Sequence, residues 1–192
     1  MQKPELVKAF QQFLGGLNWL TINTRPDINV ATKLLGQFNC DPSIRHLNSA
    51  KYVLRYLRST ASHGIWFTQG DERLRGNVGI PSAMKDEKLL TFTDSNWGAQ
   101  DASAPRRDET QTVDMEEMKS IQGYYITRMG GPLLWGVYRE KRLIGSSCIA
   151  EIKAMHEGVK EIQFIRHLMR QLELSDVNTP SLVLNDNQGS VN

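Results

Sequence analysis

The stretch LLTFTDSNWG, Leu89 to Gly98, runs apolar and hydroxyl side chains into Asp94 and then turns at Trp97-Gly98, so the spacing predicts a strand that ends on a carboxylate. An aspartate in that place is ordinarily a turn former, because its side chain hydrogen-bonds the backbone two residues on. It gains a second meaning only if other carboxylates arrive at the same edge.

Downstream, Ala99 to Lys119 is polar, rich in acidic residues and too long for a tight turn, and it reads as an insertion pointing away from any polyanion. SIQGYYITRM and PLLWGVYR then flank Gly130-Gly131, a hairpin signal. Gly123-Tyr124-Tyr125 and Trp135 fit sheet packing rather than base stacking. A helical pattern fills residues 147–174, with Ile149, Ile152, Met155, Val159, Ile162, Ile165, Leu168, Met169 and Leu172 expected inward. After Pro180, SLVLND is a short strand ending on Asp186. Strand, strand, strand, long helix, strand predicts an α/β domain with a mixed sheet. Three strands form an antiparallel meander, and a right-handed helical crossover brings the last strand parallel to the first.

In that arrangement Asp94 and Asp186 emerge at one C-terminal sheet edge, where open sheets place ligands. SSCIAEIKAM puts Glu151 near the start of the crossover helix, able to aim at the same point. Three converging carboxylates repel one another unless a cation neutralises them, and an all-oxygen set selects a hard ion, Mg²⁺ or Mn²⁺. Two such ions about 3.5–4 Å apart can activate a water and stabilise the leaving oxygen of a phosphodiester, with no protein nucleophile. Rival chemistries find no support: HExxH, GxSxG and GKS/GKT are absent, and His46, His63, His156 and His167 have no metal-ligand spacing.

Upstream, residues 1–63 read as three helices. Leu6, Phe10, Phe13, Leu14, Leu17 and Leu20 form one apolar stripe, and a second helix starts at Pro26 with Ile28, Ala31, Leu34, Leu35 and Phe38. A third starts at Asp41-Pro42, with Leu47, Ala50, Val53, Leu54 and Leu57 inward. Lys51, Arg55 and Arg58 line its outer side, with Tyr52 and Tyr56 beside them. Such a stripe either tracks a phosphate backbone or is a solvated helix face. Residues 64–87 give a strand, IWFTQ, and a Gly- and Pro-rich linker.

Of 192 residues, 40% are hydrophobic and 23% charged, ordinary globular values for one domain with an appended helical piece. No apolar run reaches the roughly eighteen residues of a spanning helix, and no signal-peptide pattern opens the chain, so a soluble intracellular protein is expected with no membrane partner. Cys40 and Cys148 form no CxxC and are expected as reduced thiols. The net charge of +2 is uneven: residues 1–66 hold eight Lys/Arg against three Asp/Glu, and 67–119 hold seven against eleven. A basic front end points to a polyanionic partner.

The chain resembles copia-type LTR retrotransposon polyproteins, the end of reverse transcriptase (thumb or connection) followed by the ribonuclease H domain. The blocks, in the family's order, are GGLNWLTINTRPDINVAT, HLNSAKYVLRYLRSTASHGI, TDSNWG, SIQGYYITRMGGPLLW, SSCIAEIKAM and NDNQGSV. The last is similar to C-D-N-Q-S-A-I. The resemblance implies an RNase H-like fold over 88–192, with Asp94, Glu151 and Asp186 as metal-binding catalytic carboxylates. It further implies two-ion Mg²⁺ or Mn²⁺ chemistry, an RNA–DNA hybrid substrate read through 2′-hydroxyls and groove shape, and the rest of a Pol polyprotein as partner. Lys51, Arg55, Arg58 and Trp97 are the candidate nucleic-acid contacts, and a retroelement particle in the cytoplasm, or the nucleus, is the expected location. Asn96 and Ile149 stand where the family has acidic residues. A fourth carboxylate, the last strand and the final helix of the family fall beyond Asn192, and the polymerase palm falls before Met1, so polymerisation is not expected. The alternative is a catalytically inactive retrotransposon-derived module that binds nucleic acid or protein.

Overall fold

In a computed structural model of the chain, the described residues are 4–65, 67, 89–96, 119–128, 131–174 and 180–187. Trp97, Gly130, most of IWFTQ, the linker and nearly all of the acidic insertion lie outside them. The chain divides into two compact units, residues 1–66 and 67–192.

The first unit holds α1 (Pro4–Asn23), a 3₁₀ turn (Pro26–Ile28), α2 (Asn29–Gly36) and α3 (Ile44–Ser59). Phe10, Leu14, Leu17, Ile28, Leu35, Ala50 and Val53 form its buried core, with Leu20, Ala31, Leu47 and Leu57 packed against it. Leu34, Phe38 and Leu54, expected inward, are exposed. Phe38 instead stacks on the His46 ring, with centroids 3.7 Å apart. The start of α3 also differs from expectation, because Ser43 rather than Asp41 caps it. Ser43 Oγ accepts from the His46 N–H, and His46 Nδ1 accepts from the Ser43 N–H at 3.0 Å, a reciprocal capping box.

TRPD, residues 24–27, is stitched to the end of α3. Buried Arg25 donates through Nε and Nη2 to the two Asp27 carboxylate oxygens at 2.9 and 2.7 Å, and through Nη1 and Nη2 to Thr60 O and Oγ1 at 3.1 and 2.7 Å. Its positive charge is fully partnered, which is what allows it to be buried. Arg25 in turn holds the Asp27 carboxyl below the usual carboxylate range, chiefly by that hydrogen bond.

The second unit is an α/β arrangement of β1 (Leu89–Asn96), β2 (Ile121–Arg128), β3 (Gly131–Arg139), α4 (Ser147–Gln171) and β4 (Leu182–Leu184). The sheet order is β3-β2-β1-β4, with β1 antiparallel to β2, β2 antiparallel to β3 and β4 parallel to β1. Tyr124 is buried in the core with Leu89, Ile126, Ile162, Ile165 and Met169, and Tyr125 lies near Trp135, centroids 6.5 Å apart.

The inward face of α4 departs from the periodic reading. Ala150, Glu151, Ala154, Gly158, Ile162, Ile165 and Met169 are buried, whereas Ile149, Ile152, Val159, Leu168 and Leu172 are exposed. Close approach of the helix to β1 explains this. A Cβ on Gly158 would lie 2.7 Å from Thr93 Cγ2 and 3.2 Å from Thr91 Cγ2, so no side chain fits at that position, and apart from Glu151 the buried residues of the first half of the helix are the small Ala150, Ala154 and Gly158. A hydrophobicity pattern favours large apolar positions and therefore finds Ile162, Ile165 and Met169, which are buried as expected, but misses the small-residue stripe of the first half of the helix.

Candidate metal centre

The ladder between β1 and β4 sets two of the three carboxylates side by side. Phe92 pairs with Leu184 in parallel register, and Asp94 and Asp186 each follow that pair by two residues. β4 has ended at Leu184, while β1 runs on beside β2 to Asn96, with Asp94 paired to Gly123; Asp94 and Asp186 are both exposed at this edge. The third comes from α4, whose start is fixed by Ser146, with Oγ accepting the Ile149 N–H at 3.3 Å. Glu151, the fifth residue of the helix, is drawn down against the sheet between the small residues Ala150 and Ala154 and is only 5% exposed. One carboxylate oxygen from each of Asp94, Glu151 and Asp186 lies within 4.8 Å of the others.

Glu151 is held from two sides. Asn185 Nδ2 donates to Glu151 Oε2 at 2.7 Å, and the Ser95 backbone N–H donates to the same carboxylate. Asn185 Nδ2 also lies 3.3 Å from both Thr93 O and Thr93 Oγ1, while its Oδ1 accepts the Asn187 N–H at 3.0 Å. These donors favour the ionised form. Burial is the larger effect, and with the Asp94 and Asp186 carboxylates added it pushes the Glu151 carboxyl above the usual glutamate range. The cluster thus gathers three carboxylates, oxygen donors alone, at one point.

Lys51, Arg55 and Arg58 are exposed on α3, with Tyr52 70% exposed. Tyr56 is committed elsewhere, its hydroxyl donating to Asp27 Oδ2 at 3.0 Å under the Arg25 guanidinium. Asn96 ends β1, and Ile149, 48% exposed on α4, offers no ligand atom. Asn185, Thr93 and the Ser95 N–H went unnoticed in the sequence. The available signal was an asparagine directly before a strand-end aspartate, a local former of Asx turns.

Comparison with known proteins shows similarity to transposon polyproteins. Over 181 residues, 94% of the chain, it is 26% identical to a retrovirus-related Pol polyprotein from transposon RE1 of Arabidopsis thaliana. The chain is similar to a segment of transposon Pol polyproteins. A second such polyprotein, from transposon TNT 1-94 of Nicotiana tabacum, is 26% identical over 90% of the chain. The chain spans about a tenth of the length of these polyproteins, 10% and 11% respectively. Secreted RxLR effector protein 161 of Plasmopara viticola is 28% identical over 77% of the chain and 84% of its own length. No protein-family model matches the chain, and no solved structure matches it significantly.

Proposed function

We propose that this chain is an RNase H-type endonuclease that cuts the RNA strand of RNA–DNA hybrids, derived from a retrotransposon Pol polyprotein. The observation that carries the reading is the approach of Asp94, Glu151 and Asp186, remote in sequence, to within 4.8 Å. The donor set, three carboxylates each offering an oxygen within 4.8 Å of the others, fits a hard divalent cation. The raised Glu151 carboxyl is consistent with such a site, because its burial and the neighbouring Asp94 and Asp186 carboxylates disfavour its charged form.

Asp94, Glu151 and Asp186 would hold the ions, Mg²⁺ or Mn²⁺. Such ions, when bound, supply an activated water and charge stabilisation for phosphodiester hydrolysis. Asp94 and Asp186, both exposed, face the side from which a polyanion arrives, while Glu151 anchors the site from beneath. Lys51, Arg55 and Arg58 are the cations proposed to contact hybrid phosphates, and selectivity for hybrid would come from 2′-hydroxyls and groove shape.

One observation favours a second reading, a catalytically inactive module that binds nucleic acid or protein. The effector that resembles this chain is matched over 84% of its length, so the module is not confined to polyproteins. A labelled RNA–DNA hybrid incubated with the chain and Mg²⁺ or Mn²⁺, beside Asp94→Asn, separates the two. The nuclease reading expects metal-dependent cleavage by wild type and none by the variant. Cleavage that persists in Asp94→Asn, or a salt-sensitive gel shift without cleavage, sinks it.

A further inference from the structure

We propose that Asn185 is a positioning residue for the carboxylate cluster, organising two of its members and tying them to the strand of the third. The inference rests on the metal-centre reading above and extends it to a residue that carries no charge and ligates nothing.

The hydrogen-bond pattern fixes the amide's orientation. Asn185 Oδ1 accepts the Asn187 N–H at 3.0 Å, so Nδ2 faces Glu151. The reverse orientation would set two acceptor oxygens against each other at 2.7 Å. One N–H of Nδ2 serves Glu151 Oε2 at that distance, and the other is shared between Thr93 O and Oγ1, both at 3.3 Å. The Thr93 hydroxyl hydrogen is already given to Leu184 O at 3.3 Å, leaving its oxygen lone pairs free to accept. A single side chain therefore bridges the end of β1, α4 and the end of β4.

Each link acts on a different carboxylate. The bond to Glu151 engages Oε2 and, with the Ser95 N–H, selects a rotamer that an isolated glutamate, repelled by Asp94 and Asp186, would abandon. The bond to Asn187 closes an Asx-type turn around Asp186, setting the backbone from which that carboxylate projects. The bonds to Thr93 register both to the residue preceding Asp94.

Mn²⁺ affinity, measured by titration calorimetry or by the electron paramagnetic resonance signal of free Mn²⁺, tests this without recourse to activity. The full chain is compared as wild type, Asp94→Asn, Asn185→Ala and Asn185→Ser, with metal-free melting temperatures alongside. Serine retains a short acceptor for the turn but cannot reach Glu151, so it isolates the lost donor even if the alanine variant fails to fold. Wild type is expected to bind and Asp94→Asn to lose binding. Both Asn185 variants should bind about 10–100-fold more weakly, the usual effect of removing a partner of a ligand, and Asn185→Ser should melt near wild type. Asn185→Ser binding as tightly as wild type while Asp94→Asn does not overturns the positioning role alone, as does weakening that appears only with a matching loss of thermal stability. Absence of Mn²⁺ binding by wild type overturns the metal-centre reading, and this inference with it.

Discussion

Glu151 concentrates the conflict between stability and chemistry in this molecule. Its carboxylate is buried beside two others, and the donors from Asn185 and Ser95 offset only part of that cost. Glu151→Gln keeps the shape and an acceptor for Asn185 while removing the charge. At neutral pH without divalent ions the variant is therefore expected to melt above wild type, and Mg²⁺ should raise the melting temperature of wild type only. A thermal scan with and without Mg²⁺ checks both, and a variant that melts lower, or that Mg²⁺ stabilises equally, contradicts the proposed role. All three carboxylates were legible in the sequence because each sits at a punctuation mark, a strand end or a helix start. Asn185 was not, because its importance lies in reaching Glu151, 34 positions away, and no local pattern encodes that distance.

At the scale of elements, the α4–β1 contact is where chain pattern and packing part ways. The strand order follows from the succession of elements, since a helix long enough to cross over returns the chain parallel to its starting strand. In the first half of the helix, the face that meets the sheet does not follow from hydrophobicity. Gly158 sits against two threonine methyl groups whose β-branched side chains have little freedom to turn aside. Gly158→Ala gains helix propensity of up to ~1 kcal/mol but forces a 2.7 Å contact, and overpacking typically costs about 1–3 kcal/mol. The clash should win, lowering the urea midpoint and, by lifting α4 away from β1, weakening Mn²⁺ binding. An unchanged or raised midpoint would show that the helix shifts freely. The cap of α3 makes a similar point: Asp41-Pro42 has the composition of a helix start, yet the chain uses Ser43, because only there does the first turn supply His46 to complete the box.

For the whole molecule, the basic stripe and the carboxylate cluster belong to different compact units, residues 1–66 and 67–192. Substituting Lys51, Arg55 and Arg58 together by Gln should weaken hybrid binding. It should also reduce the salt dependence of the binding constant by about two to three in slope, because each phosphate contact releases close to one counterion. Titrations across a range of salt concentrations read this directly. An unchanged slope would leave the stripe as an ordinary solvated face, with the carboxylate edge unaffected by that result.

By itself the sequence determined the succession of elements and the identity of the acidic residues, since helical and strand periodicities, prolines and glycines act over a few neighbouring positions. It also carried the similarity to transposon Pol polyproteins, which lies in motifs strung along the chain. Only the tertiary structure decided which face of α4 is buried, that the Asp94 and Asp186 tips share a pocket with Glu151, and that Asn185 bridges them. Those outcomes depend on the separation between a helix and a sheet and on the reach of individual side chains, quantities fixed by the mutual fit of segments distant in the chain.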